Sequence, residues 1–114
     1  MKNTLPKLPK PIHKFLAQIC TQMRDFPWVE KIVLYGSYAK GGYAADSDLD
    51  LAVFAKNKTA CDLPKYRQLA RICRTDMIDV QVQVFSVEEM EDPCGIVEEI
   101  MEFGIEITDL QSNV

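Results

Sequence analysis

Apolar positions change their period along this chain, and each change marks an element. Ile12, Phe15, Leu16, Ile19, Cys20 and Met23 recur at helical spacing, predicting an amphipathic helix over roughly 11–24. Asp25-Phe26-Pro27 ends it, because a residue before proline is pushed away from helical dihedrals. Trp28 to Tyr35 then reads as a buried, β-branched strand that stops at Gly36. Gly36-Ser37-Tyr38-Ala39-Lys40-Gly41-Gly42 reads as a glycine turn opening a short helix, and a loop through Ala45 leads to a second strand, Leu49–Ala55. Lys56-Asn57-Lys58 is a turn. Leu63, Tyr66, Leu69, Ala70 and Cys73 predict a second amphipathic helix, with Asp62 as N-cap and Pro64 in its first turn. A third strand is expected over Ile78–Phe85, where Ile78, Val80, Val82 and Val84 alternate with Asp79, Gln81 and Gln83. Ser86 followed by Glu89 forms a capping box for a short helical turn. Asp92-Pro93 is expected to cap a further helix carrying Ile96, Val97, Ile100 and Met101, closed by Gly104 at C′. Ile105-Glu106-Ile107 reads as a short last strand.

The flanks lack periodicity. Residues 1–11 hold Pro6, Pro9 and Pro11 among lysines and read as an irregular arm, and residues 111–114 as a loose tail. The element order predicts an α/β or α+β layered fold around a small sheet, as one domain spanning 1–114. No internal repeat interrupts it.

Composition narrows the class. An apolar fraction of 47% with 26% charged residues suits a globular core and argues against disorder. No apolar run reaches the ~18–20 residues of a membrane span, and no apolar stretch follows the basic start, so a cytoplasmic domain without a signal peptide is expected. Cys20, Cys61, Cys73 and Cys94 are irregularly spaced and contain no C-x-x-C, which favours buried free thiols in a reducing compartment over two disulfides. With His13 as the sole histidine, a structural zinc site and Cys–His or Ser–His catalysis are disfavoured.

Charge is unevenly placed. All 13 Lys and Arg lie at or before Arg74 beside six acids, a balance of +7, whereas the chain from Asp76 carries eleven acids and no base. Acidic helices facing solvent account for this, and so would a bipolar surface that docks a partner. The net charge of −4 argues against general nucleic-acid binding.

Chemistry concentrates between Gly36 and Leu51. A glycine turn after a buried strand, opening a helix, exposes backbone N–H groups to an anion, and Ser37 adds a hydroxyl there. Asp48 and Asp50 enter the second strand two residues apart, so both carboxylates point to one face. Their repulsion is relieved by a hard divalent cation, and Mg²⁺ commonly takes one or two carboxylates plus substrate phosphates. A phosphate cradle beside such a clamp suits phosphoryl or nucleotidyl transfer. Walker A fails, since Gly42-Tyr43 follows Gly41 where Lys and Ser or Thr are required, and the spacing of Gly36 and Gly41 fails the dinucleotide fingerprint.

Gly36-Ser37, Gly41 and Ser47-Asp48-Leu49-Asp50-Leu51 resemble the G-S-x-x-x-G…S-D-x-D signature of the DNA polymerase β-like nucleotidyltransferase superfamily, and the short chain resembles its minimal members. The resemblance implies a nucleotidyltransferase fold with a small mixed sheet flanked by helices. It also implies binding of ATP or another nucleoside triphosphate, and two Mg²⁺ ions held by three carboxylates. By position the nucleotide falls to Gly36, Ser37, Lys40 and Gly41, and the metals to Asp48 and Asp50. The family places its third acid on the next strand, antiparallel to the first and facing the same cleft. Asp79 is the one carboxylate on that face of residues 78–85, which makes it the expected third ligand and catalytic acid; Asp76 lies before the strand. If the position falls instead on Gln81 or Gln83, catalysis is weak or lost.

Two functions therefore compete at this point. One is a Mg-dependent nucleotidyltransferase that moves a nucleoside monophosphate, AMP first among candidates, to a hydroxyl acceptor. The other is a binding module of the same fold that neutralises its partner by occlusion. The resemblance implies a helical HEPN-type protein as partner, with this chain as antitoxin and a toxin tyrosine as acceptor. A homo-oligomer paired through an edge strand also stays open.

Overall fold

The computed structural model describes Met1, residues 4–60 and residues 62–111. The expectations for Cys61 and for residues 112–114 lie outside these, as do Lys2 and Asn3 of the basic start. Four helices and four strands follow in the order α1 (Lys10–Met23), β1 (Val29–Tyr35), α2 (Ser37–Lys40), β2 (Leu49–Ala55), α3 (Leu63–Ile72), β3 (Val80–Ser86), α4 (Ile96–Phe103) and β4 (Ile105–Glu106). Single 3₁₀ turns occupy Lys58–Ala60 and Val87–Met90.

The sheet order is β3-β2-β1-β4, with β1 antiparallel to both β2 and β4, and β2 parallel to β3. The sheet is therefore mixed, and β3 runs opposite to β1. Central β1 and β2 are buried on both faces, which is why they read as near-continuous apolar runs, while edge strand β3 alternates. One face carries Ile32, Leu34, Leu49, Leu51, Val53 and Val82 against α1 and α3, through side chains such as Leu16, Cys20, Leu69 and Cys73. The other carries Val33, Tyr35, Ala52 and Phe54 against Val97 and Ile100 of α4, with Phe85 and Met101 alongside. Each face is closed by helices, so the molecule has three layers.

Local signals explain most boundaries. Asp62 caps α3, its Oδ1 accepting the Lys65 N–H at 2.9 Å, with Pro64 in the first turn. The Glu89 carboxylate accepts the Ser86 N–H at 2.8 Å before the second 3₁₀ turn. Four expectations need correction. β3 begins at Val80 rather than Ile78, leaving Asp79 just outside it. α4 starts at Ile96 behind Gly95, so Asp92 does not cap it. Gly104 ends α4 in an extended conformation (φ −68°, ψ 159°); its glycine is required because a Cβ would meet the Ile100 carbonyl and lie 2.7 Å from Val33 Cγ1. Finally, Cys94 is exposed, whereas Cys20 and Cys73 are buried free thiols as expected.

The C-terminal segment is fastened as far as it is described. Arg24 Nη1 donates to the Thr108 carbonyl at 3.0 Å, Ile32 N–H to Thr108 Oγ1 at 3.0 Å, and His13 Nε2 lies 3.1 Å from the Gln111 carbonyl. Among the described residues no helix is long and apolar enough to cross a membrane.

Candidate active site

β1 delivers the chain to Gly36 at the end of the sheet, where the backbone turns abruptly into α2. Gly36 adopts φ 76°, ψ −154°, a region open essentially to glycine alone. The residue also leaves room for a neighbour. A Cβ built there would stand 3.1 Å from Asp50 Cγ and 3.3 Å from Asp50 Cβ, and closer still to Oδ2. The glycine turn and the second aspartate of the motif are therefore in contact, because β1 and β2 pair Tyr35 with Asp50 at the same end of the sheet.

Ser37 opens α2, and Gly41 closes it in the left-handed region (φ 86°), its N–H donating to the Ser37 carbonyl at 3.0 Å. The first amides of a helix have no intrahelical acceptor, so this turn presents N–H groups beside the Asp50 carboxylate. Ser47 shapes the approach to β2: its Oγ accepts the Ala44 N–H at 2.7 Å, and its own N–H donates to the Ala44 carbonyl at 3.1 Å. Buried Leu49 then anchors the strand, with exposed Asp48 preceding it in the chain and half-buried Asp50 following it.

Burial and neighbouring negative charge act together on the site's ionisable groups. Burial first, then Asp48, then Glu99 push the Asp50 carboxyl above its ordinary range. Burial also raises the Tyr35 phenol, helped by Asp50 and Glu99, while the hydrogen bond from Gln83 opposes the rise. That bond runs from Gln83 Nε2 to Tyr35 Oη at 3.2 Å. Glu99 belongs to α4, and its Oε1 also takes Lys40 Nζ at 2.8 Å, with the ammonium 4.9 Å from the Phe103 ring centre. Sequence reasoning missed Glu99 and Tyr35. Nothing in local spacing reports that α4 crosses this end of the sheet, although Tyr35, as the last residue of a strand ending at Gly36, was in plain view.

The remaining predicted residues are placed as follows. Lys40 faces α4 through the Glu99 pair, so contact with a phosphate requires that exposed pair to open. Tyr38 and Tyr43 stack on each other at 4.4 Å, with Tyr38 buried, which makes them packing partners. Parallel pairing sets Gln81, not an acid, directly beside Asp50. Asp79 is exposed, and its carbonyl accepts the Leu49 N–H at 2.8 Å. It borders a cleft of about 230 Å³ together with Ala70, Cys73 and Arg74. Among the described residues no three His, Cys, Asp or Glu side chains gather closely enough to hold a metal by themselves.

A family model described as "Polymerase beta, Nucleotidyltransferase" matches residues 17–113, which include the whole site. The chain belongs to this family. Among solved structures, this polymerase beta-type domain resembles a provisionally assigned nucleotidyltransferase from Sulfolobus solfataricus, with 20% identity over 91% of each chain and a TM-score of 0.58. It also resembles a chain of a toxin–antitoxin structure with AMP-PNP, at 21% identity, covering 83% of this chain and 71% of that one, with a TM-score of 0.55. At these identities the two structures support the nucleotidyltransferase fold. No curated protein matches the sequence.

Proposed function

We propose that this nucleotidyltransferase-family domain transfers a nucleoside monophosphate, in the first instance AMP from ATP, to a hydroxyl on a partner protein. The contact between Gly36 and Asp50 carries the reading, because it joins an anion-accepting turn to a strand-end carboxylate. The Gly36-Ser37 turn would hold the triphosphate by main-chain N–H groups and the Ser37 hydroxyl, with Gly41 setting the far end of α2. Lys40 is close enough in sequence to reach a phosphate once its Glu99 pair opens.

The donors suit Mg²⁺. Asp48 and Asp50 are hard oxygen ligands close together in the chain, and the Asp50 carboxyl is raised by burial first and then by the negative charge of Asp48 and Glu99, which a cation would offset. Asp48 and Asp50 would hold Mg²⁺, with Asp79 as the outlying third acid of a two-ion site, and a cation bound there would supply charge neutralisation for the triphosphate and a more acidic acceptor hydroxyl. In the transfer, the acceptor oxygen bonds to the α-phosphorus as the bond to the pyrophosphate oxygen breaks. The acceptor proton passes to solvent or a site carboxylate. The chain's own contribution is positioning and the exclusion of misaligned phosphates by a rigid turn.

The toxin–antitoxin neighbour supports a protein partner, and the resemblance to minimal nucleotidyltransferases supports a cytoplasmic HEPN-type toxin with this domain as antitoxin. Gln81 beside Asp50 favours a second reading, a domain that binds the same partner and neutralises it by occlusion with little or no turnover. Incubation with labelled ATP, Mg²⁺ and a candidate partner separates the two. Wild type should label the partner and Asp48→Asn, correctly folded by circular dichroism, should lose at least ~10²-fold. Equal labelling by both proteins refutes the mechanism, and neutralisation without labelling by either selects occlusion.

A further inference from the structure

Among the described residues β3 is an open edge of the sheet, paired on one side only. Natural edge strands are normally blunted by charge, proline, bulges or a cover. This one, Val80-Gln81-Val82-Gln83-Val84-Phe85-Ser86, carries no charge, no proline and no glycine, and its pairing with β2 is regular over all seven residues. Leu49 N–H donates to the Asp79 carbonyl, so the odd-numbered residues of this strand direct their main-chain groups to β2. Alternation then turns those of Val80, Val82 and Val84 outward. Above them stands an apolar shelf from α3: Leu63 and Tyr66 are 57% and 41% exposed and share a cleft of about 410 Å³ with Val82, Gln83 and Val84.

We propose that a second copy of this chain occupies that edge, β3 pairing antiparallel with its own symmetry mate about a two-fold axis at Gln83. Three features of this edge favour self-pairing over a foreign strand. Gln83 is the midpoint of β3, and the exposed shelf is centred on the same point, so a two-fold there brings Leu63 and Tyr66 toward their own mates. In this register Val82 faces Val84 of the second copy, and both present free main-chain groups, which antiparallel pairing requires. The strand is neutral, so two copies meet without the like-charge repulsion that identical charged edges would suffer.

Size sets the strength. A seven-residue strand is about 24 Å long, and with one helix layer above it the contact covers roughly 500 Å² per copy, about 1,000 Å² in all. This is the low end of specific interfaces, so a micromolar, concentration-dependent dimer is expected. A two-fold perpendicular to the sheet leaves both Asp48/Asp50 sites on one side of a continuous eight-stranded sheet. The proposal does not depend on nucleotide chemistry.

The test uses the full chain alone. Sedimentation over a hundredfold concentration range through the micromolar should show monomer passing to dimer. Leu63→Lys with Tyr66→Lys, both on the exposed side of α3, should weaken the dimer by at least ~10-fold while circular dichroism stays unchanged. Register is checked in a Cys61→Ser, Cys94→Ser background. Across the two-fold, Gln83→Cys forms a non-hydrogen-bonded pair about 4.5 Å apart at Cα and should oxidise to a covalent dimer. Gln81→Cys, roughly 13 Å from its mate, should not. A monomer at every concentration, a dimer indifferent to the lysine pair, or crosslinking through Gln81→Cys instead of Gln83→Cys would each overturn the proposal.

Discussion

Gly36→Ala isolates the feature on which the site is built. Two costs add. The backbone at φ 76°, ψ −154° is strained for any residue with a Cβ, by about 1–3 kcal/mol. The new methyl also drives into the Asp50 carboxylate, which must leave its rotamer, adding about 0.5–1.5 kcal/mol. The sum is about 2–4 kcal/mol, a large part of the ~5–15 kcal/mol that stabilises a domain. For 114 residues, with ~2.1 cal/mol/K of unfolding entropy per residue, each kcal/mol lowers Tm by about 4 °C. Thermal unfolding should therefore drop by roughly 8–16 °C. Asp50→Ala removes the carboxylate but not the strain, so a double-mutant cycle should return a coupling of about 1 kcal/mol, with the double variant more stable than additivity predicts. A Gly36→Ala cost below ~0.5 kcal/mol, or strict additivity with Asp50→Ala, would refute the reasoning that turn and carboxylate share one space.

Further outcomes follow from burial of ionisable groups. The Asp50 carboxyl is raised in the fold, so the folded state binds its proton more tightly than the unfolded state does. Its ionisation therefore destabilises the fold as pH rises from the unfolded value of about 3.9 through the folded one, and the penalty is complete above it. Asp50→Asn should melt above wild type at pH 7 without metal, the gap closing by about pH 3–4, and Mg²⁺ should stabilise wild type more than the variant; melting curves against pH and metal check both. Burial pushes the Cys20 and Cys73 thiols up to about 12, so in Cys61→Ser protein only Cys94 should react with a thiol reagent at pH 8 until denaturant is added.

Much of this fold was legible because local rules and global packing agree. β2 was read to the residue, since its apolar run is buried on both faces and bounded by acids and a lysine turn. The Asp62 cap and the Gly36 and Gly41 punctuation of α2 were equally plain. β3 was read two residues early because Ile78 continues the alternation past the last rung of the ladder, which closes on the Asp79 carbonyl. Gly104 was placed at the right helix end for the wrong reason; crowding from Val33, 71 positions away, is invisible to a local motif. The hold of Arg24 on Thr108 and of Glu99 on Lys40 are likewise products of the fold, not of spacing. Of the site, the motif gave the turn and two acids; the register that sets Gln81 beside Asp50 needed the sheet.

The uneven charge acquires a spatial meaning once the layers are known. Lys10 and Lys14 on α1, with Lys65, Arg67, Arg71 and Arg74 on or next to α3, belong to the elements that cover one face of the sheet. Glu98, Glu99 and Glu102 on α4, with Glu88, Glu89 and Glu91 before it, belong to those on the other. Asp50 shares the acidic face, in the same alternation as Ala52 and Phe54. A triphosphate approaching it meets like charge: one pair of unit charges 6 Å apart at an effective dielectric of 20 repels by roughly 3 kcal/mol. Lys40, already paired to Glu99, cannot offset several such terms. Under the proposed function, nucleotide must therefore arrive with its cation, each strengthening the binding of the other by the same factor. Burial first, then Asp48 and Glu99, raise the Asp50 carboxyl, so a cation arriving with the nucleotide would offset charge contributed by α4 as well as by the motif.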